Sequence, residues 1–283
     1  MISLISISGS GIGTAFMGLC SCLSTTFDRH LAIASGIATS AIGLSTFLYP
    51  SIIRALEEEY GWRGAYVLLG AIVLQYLVVA CFVKPRKCTK DEIKMRENAD
   101  KVVNDGYKTL LREYLHTELL NDKRFVLLLT FLMVLHSGIS IVFVHIEAFA
   151  IAMHITTDYT KWAIPAWGVS NWLGRSLFGL IGNLTRVDTT TMLVPFIALS
   201  GVAIGALPAI TSGPGLIICA SVNGFLSGPL GYGTIVLTVE YFSVACLPSA
   251  YGYCLLTSGV GFLLGAPAAG KYGCGISALN ENS

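Results

Sequence analysis

Residues 126–149 read VLLLTFLMVLHSGISIVFVHIEAF. No Asp, Glu, Lys or Arg occurs until Glu147, and most of the side chains are branched-chain or aromatic. The hydrocarbon core of a bilayer is about 30 Å thick, so roughly 20 mostly apolar residues in a helix cross it. The stretch reads as a transmembrane helix. Seven further segments match it, at about 2–23, 31–49, 64–83, 163–183, 191–209, 214–237 and 249–270. The expected fold is an all-α membrane protein, a helical bundle of about eight transmembrane helices, because backbone polar groups cannot face lipid unsatisfied.

Composition agrees. Of 283 residues, 54% are hydrophobic and 12% charged, and mean hydropathy is +0.69; a soluble domain carries about 25% charged residues. The net charge of +1 gives no global field that would attract nucleic acid. The eight cysteines are scattered, with no CxxC and no His-rich segment. Cys20, Cys22, Cys81, Cys219 and Cys254 lie in apolar stretches as small hydrophobes, so no disulfide, metal or other cofactor is expected. Met1 to Cys22 lacks a basic leader and reads as a span rather than a cleaved signal.

Charge is concentrated in one place. Eleven of the 18 Lys+Arg fall between Lys84 and Arg124. The positive-inside rule makes that loop cytoplasmic. Counting outward, 25–30, 184–190 and 238–248 are then inside and the acidic 50–63 loop outside. The sequon at Asn183 is hidden from glycosylation. The expected organisation is 1–83 as three spans of an N-terminal half-bundle, 84–124 as a central cytoplasmic loop, and 125–283 as a five-span C-terminal half-bundle. Tyr107, Leu110, Leu111, Tyr114, Leu115 and Leu119 recur at helical spacing in that loop, as an amphipathic helix against the bundle or a plain linker helix.

The spans are rich in glycine. Gly201/Gly205, Gly224/Gly228 and Gly261/Gly265 are GxxxG pairs, and Gly9, Gly11, Gly13 and Gly18 crowd the first span. Small residues allow close helix approach, either as tight packing alone or as surfaces that rock against each other. A faint repeat relates Phe27 and Gly36 to Phe242 and Gly252, with Pro50 and Pro267 after them. Parallel halves would produce it, and so would chance.

Arg175 is the one basic residue deep within a span, in Asn171-Trp172-Leu173-Gly174-Arg175-Ser176. An intramembrane arginine costs about 3 kcal/mol or more and faces a cavity or a partner. Its guanidinium suits a carboxylate in bidentate geometry; the alternative is a structural arginine satisfied by carbonyls. Asn223 and Tyr232 lie in the span broken by Pro229, where they either line a cavity or hydrogen-bond between helices. His145 and Glu147 sit near the outer end of their span, and Asp28 and Glu240 at cytoplasmic ends.

Several stretches together resemble the monocarboxylate transporter family of the major facilitator superfamily. Phe27-Asp28-Arg29-His30-Leu31 followed by Ile33–Ala38 looks like the family's aromatic-basic turn before a small-residue helix, although only Arg29 is certain to be charged. Tyr60-Gly61-Trp62-Arg63-Gly64-Ala65 is similar to the outer turn before its sixth span. Leu119–Phe125 resembles the entry to the seventh, Val144-His145-Ile146 its outer end, and Gly265–Gly270 the end of the eleventh. The resemblance runs from about Gly9 to Gly275, with the first span here corresponding to the family's fourth. On that register three N-terminal spans and the last one are expected to be missing.

The resemblance implies a major-facilitator-like bundle and a secondary transporter of a small organic solute, a monocarboxylate or related metabolite. It implies symport, alternating access, the plasma membrane and a single-span accessory glycoprotein as partner. It links Arg175 to substrate anion binding. Lactate-type members carry an acidic residue where Asn171 stands here, and an amide takes up no proton at physiological pH, so proton-coupled lactate transport is put in doubt. The candidate substrate-binding residues are Arg175, Asn171, Asn223 and Tyr232. The alternative is a transport-inactive truncated fragment acting only through association with other membrane proteins. An enzyme is not expected, since no HExxH, His cluster or nucleophile motif occurs.

Overall fold

The computed structural model describes residues 2–27, 30–82, 116–153, 155–184 and 188–280. They form α-helices α1 (Ile2–Thr26), α2 (Leu31–Phe82), α3 (Lys123–Ala152), α4 (Thr157–Leu184), α5 (Thr189–Gly205), α6 (Gly213–Ser227) and α7 (Pro229–Asn280), with short 3-10 turns at Thr117–Asn121 and Leu207–Ala209. No strand occurs among the described residues. The all-α expectation holds, for the reason it was made: a helix satisfies its own backbone in lipid. The amphipathic pattern of 107–119 falls largely outside the described residues, as does Asp28.

Two compact units are present, 1–47 with 118–283, and 48–117. In the second, the helical run is broken at Gly61 (φ 66°, ψ 171°), a left-handed conformation open to glycine and strained for other residues. The sequence reading places a turn over 50–63; the chain stays helical up to Tyr60 and turns at that single glycine. Arg63 lies over the Trp62 ring, 5.0 Å from its centroid.

By length and composition, five helical segments among the described residues suit a membrane crossing, against about eight expected: Leu31–Tyr76, Lys123–Ala152, Thr189–Ala209, Gly213–Phe242 and Leu247–Gly270. Two expected spans merge into the first of these. The span expected at 163–183 is helical in α4, but Asn171 and Arg175 lower its hydropathy. The turn expected at 238–248 is also helical, within α7. At about 1.5 Å per residue, the 52 residues of α7 are longer than one crossing needs.

The larger unit distributes its side chains as a bilayer protein does. Leu127, Val202 and Leu263 are about 70% exposed or more, while Ser35, Thr39, Asn171, Ser200, Asn223, Ser227 and Thr238 are buried. The buried hydroxyls of Ser35, Thr39, Ser227 and Thr238 donate to carbonyls one turn back, and Asn223 bridges to Ser200. Three apolar clusters fill the remaining interior, centred on Phe125 and Leu247, on Ala163 and Leu216, and on Phe178 with Tyr232.

Glycine contacts set the helix spacing. Gly224 of α6 faces the Trp167 carbonyl, and Gly228, which caps that helix, faces Gly174 and Arg175 of α4. On α7, Gly261 and Gly265 face the Met133 and Ser137 carbonyls of α3, and Ser137 Oγ donates to Gly261 O at 3.0 Å. Gly201, Gly205 and the first-span glycines have open space instead. A third seam carries no GxxxG mark: a Cβ on Gly36 of α2 would lie 2.9 Å from Gly179 Cα, and one on Gly43 2.7 Å from Gly168 O. Backbones meet there without side chains between them.

Candidate functional site

A cavity of about 430 Å³ lies within the larger unit, in the size range of small-molecule sites. Trp167, Asn171 and Arg175 reach it from one face of α4, spaced by four residues. Thr39 of α2, His136 of α3, Ser227 of α6 and Tyr251 of α7 line it with them, and Phe16 and Phe262 give it an aromatic wall.

Arg175 is held from two sides. Its Nε donates to Asn171 Oδ1 at 2.8 Å, and Nη1 donates to Thr39 O at 3.3 Å. A guanidinium has five N–H groups; the two on Nη2 and the second on Nη1 have no protein partner among the described residues. Those N–H groups are the ones left for a carboxylate. No Asp or Glu lines the cavity, and the ion pair found among the described residues, Lys161–Asp158 at 3.6 Å, is on the exposed start of α4. Arg175 therefore brings a positive charge into a cavity with no counter-charge, and desolvating such a charge favours an anionic ligand. Room for the guanidinium comes from Gly231, where a Cβ would run into Nη1.

Asn171 is buried and fully used. Its Nδ2 donates to Gly224 O at 3.1 Å and Ser227 Oγ at 3.2 Å, while Oδ1 takes the arginine N–H. Those donors are what distinguish an amide from a carboxylate. Asn171 thus ties α4 to α6 and fixes the angle of Arg175.

The other two sequence candidates lie elsewhere. Asn223 accepts from Trp167 Nε1 at 2.9 Å and donates to Ser200 Oγ at 2.9 Å, linking α4, α6 and α5. Tyr232 packs with Phe178 and Val236 and donates to Met192 Sδ at 3.6 Å. Neither lines the cavity. His145 Nε2 meets Ala266 O at 2.9 Å, joining α3 to α7, and Glu240 accepts from Thr189 Oγ1 at 3.0 Å. The cavity adds His136, which the sequence reading passed over; an imidazole near the middle of a span is the signal that marks it.

Comparison with known proteins bears on what this site serves. A sequence model described as Major Facilitator Superfamily matches residues 1–266. The chain is 25% identical over 269 residues to monocarboxylate transporter 13 of Bos taurus, covering 95% of this chain and 60% of that protein. It is 24% identical over 286 residues to monocarboxylate transporter 12 of Homo sapiens, covering 94% of this chain and 55% of the relative. The chain thus spans about three-fifths of the length of such relatives. Described residues that are almost all helical, with many apolar side chains exposed and several hydroxyl and amide groups buried, and a family match over nearly the whole sequence have one consistent assignment: this chain belongs to the Major Facilitator Superfamily, and within it is similar to the monocarboxylate transporters.

Proposed function

We propose that the protein is a secondary transporter of a small organic monocarboxylate, bound through Arg175 and moved by alternating access in a bilayer. The observation that carries this reading is the arginine fork itself. Its Nε is pinned by Asn171, one Nη1 proton is given to Thr39, and the remaining edge is open to a cavity without carboxylates. A bidentate carboxylate neutralises the charge and satisfies those donors together. No covalent chemistry is involved.

In this reading 1–83 and 125–283 are the two half-bundles, 84–124 is their cytoplasmic link, and the protein works at the plasma membrane, where a single-span glycoprotein accompanies it. The relatives' names, monocarboxylate transporters 12 and 13, support the solute class. Asn171, Asn223 and Tyr232 act with Arg175 through the framework: Asn171 by orienting it, the other two by fixing the helices around it.

The test is carboxylate binding to the purified chain in lipid nanodiscs, by calorimetry, followed by uptake into liposomes. Arg175→Gln should abolish binding while leaving thermal unfolding within a few degrees of wild type. Equal carboxylate affinity in wild type and Arg175→Gln would overturn the reading.

A further inference from the structure

Away from Arg175, a groove of about 680 Å³ opens on the flank of the larger unit between α3, α5 and α7. Its floor is buried and apolar at Leu132 and Leu193, and its rim is exposed at Leu127, Val194 and Tyr241. Thr234, in the same floor, has its proton committed to Leu230 O at 2.7 Å. Polar atoms gather at one end instead. There Arg124 of α3, Thr190 of α5 and Tyr241 of α7 stand at one level. Thr190 Oγ1 and Tyr241 OH are 3.1 Å apart. Phe125, next to Arg124, meets Phe242, next to Tyr241, edge to face with 5.1 Å between ring centroids.

The guanidinium of Arg124 makes no ion pair among the described residues, and no Asp or Glu lines the groove. Asp122 turns its carboxylate to the Arg124 backbone N–H at 2.8 Å, and Glu240 takes the Thr189 hydroxyl at 3.0 Å. Of the Thr190 and Tyr241 hydroxyls, one donates to the other, and the second keeps its own proton. This end therefore offers a cationic fork and one O–H to a group that is anionic and accepts only, as a phosphate does.

Length identifies what hangs from that phosphate. At about 1.5 Å per residue, the groove runs about 12 Å along α3 from Arg124 to Leu132 and about 18 Å along α7 from Phe242 to Leu230. One leaflet of hydrocarbon is about 15 Å deep, half of a core about 30 Å thick. Beyond the groove α3 continues to Ala152, so the groove stops near the middle of the bilayer. A crossing helix needs a seat of twice that length; an acyl chain hung from a headgroup needs one leaflet. The positive-inside rule puts the Arg124 end on the cytoplasmic side, the leaflet that carries the anionic lipids.

We propose that this groove binds an anionic phospholipid, with its phosphate on Arg124 and the Thr190–Tyr241 pair and its acyl chains along Leu127, Phe131, Val194 and Ile197. One lipid then joins three helices at their cytoplasmic ends. Arg175 takes no part, so the site stands apart from the carboxylate reading.

The full chain in detergent, given equimolar phosphatidylglycerol and phosphatidylcholine with the same acyl chains, is weighed by native mass spectrometry, and its melting temperature is measured with each lipid. Wild type should retain phosphatidylglycerol about fivefold over phosphatidylcholine, the factor expected of one cation at the membrane surface, and melt higher with it. Arg124→Gln should lose the preference. Lys123→Gln, which removes an exposed cation that does not line the groove, should keep it. Ala198→Trp fills the apolar channel from its exposed rim and should lose the bound lipid without lowering the melting temperature of the lipid-free chain. Equal retention of the two lipids by wild type would overturn the proposal. So would a preference lost as fully in Lys123→Gln as in Arg124→Gln, which is the behaviour of diffuse surface charge. Glycerol phosphate, with the charge and no chains, should not displace the lipid at a molar excess; displacement would make this an anion site and the proposal would fall. A second copy of the chain is the rival occupant. Val194→Cys in nanodiscs should give no more oxidant-induced dimer than wild type, and efficient cross-linking there would make the groove an interface between copies instead.

Discussion

Asn171 and Arg175 stand one turn apart on α4, and the amide oxygen of the first accepts the Nε–H of the second at 2.8 Å. The same amide gives its two protons to α6, at Gly224 O and Ser227 Oγ. One side chain therefore couples a helix–helix contact to the aim of a cation, and a change of one atom type at position 171 alters both.

Asn171→Asp removes the two N–H donors and, when the new carboxylate is ionised, pairs it with Arg175. Substrate anions then compete with an intramolecular one, and affinity at pH 7.5 should fall about tenfold or more. Protonation removes the competitor, so affinity should climb as the pH is lowered, more steeply than in wild type. Calorimetric titration across pH 5–8 measures it; an unchanged profile would place Asn171 outside the binding path.

Gly231→Ala acts on the same cation from α7. Its Cβ would occupy the space of the guanidinium, and the arginine, being the flexible partner, must shift. Carboxylate affinity should drop severalfold while the melting temperature moves little. A large loss of stability with affinity intact would mean that the backbone yields instead.

Gly43→Ala tests the α2–α4 seam, where the added carbon meets backbone atoms of Gly168 and Trp172 at 2.5–2.8 Å. Overpacking of this kind costs about 1–3 kcal/mol, visible as a lowered thermal midpoint in detergent. Gly201→Ala, in a GxxxG pair with open space around it, should be neutral within about 0.5 kcal/mol.

Asn223→Ala leaves the Trp167 indole N–H and the Ser200 hydroxyl without their partner. An unsatisfied buried polar group costs about 1–3 kcal/mol, so stability should fall by that order. Affinity of the folded variant for a carboxylate should stay within about twofold, since Asn223 does not line the cavity.

Orientation is checked separately. Eleven of the 18 Lys+Arg between Lys84 and Arg124 predict a cytoplasmic loop. Protease applied to sealed cells should leave it uncut, and the Asn183 sequon should carry no glycan. A glycan at Asn183 would invert the topology.

Much of the fold was legible because hydropathy is local: an uninterrupted apolar run such as 126–149 needs no tertiary context to be read as a span. Arg175 was legible for the complementary reason, since a charge is conspicuous in such a run. The seams were less so. GxxxG spacing marked Gly224/Gly228 and Gly261/Gly265, which do pack tightly, but also Gly201/Gly205, which has open space, because the motif records what one helix offers and not which partner meets it. Gly36 and Gly43 of α2 find Gly179 and Gly168 of α4 from more than a hundred residues away, and no spacing within either helix announces it. Asn223 and Tyr232 were named for polarity within a broken span. Their partners, Ser200 with Trp167 and Met192, come from other helices, and that is information a one-dimensional pattern lacks.

Where Gly36 meets Gly179 and Gly43 meets Gly168, two backbones touch with nothing interlocked between them. Ridges of interdigitated side chains resist rolling, because every rotamer in the contact must change for one helix to turn on the other. A smooth contact has no such teeth: it acts as a bearing, firm against separation and compliant to rotation. The carbonyl of Arg175 itself lies 3.0 Å from where a Gly36 side chain would begin. The guanidinium of the same residue donates to Thr39 O of α2, so a roll of α4 on α2 would have to stretch or break that tether.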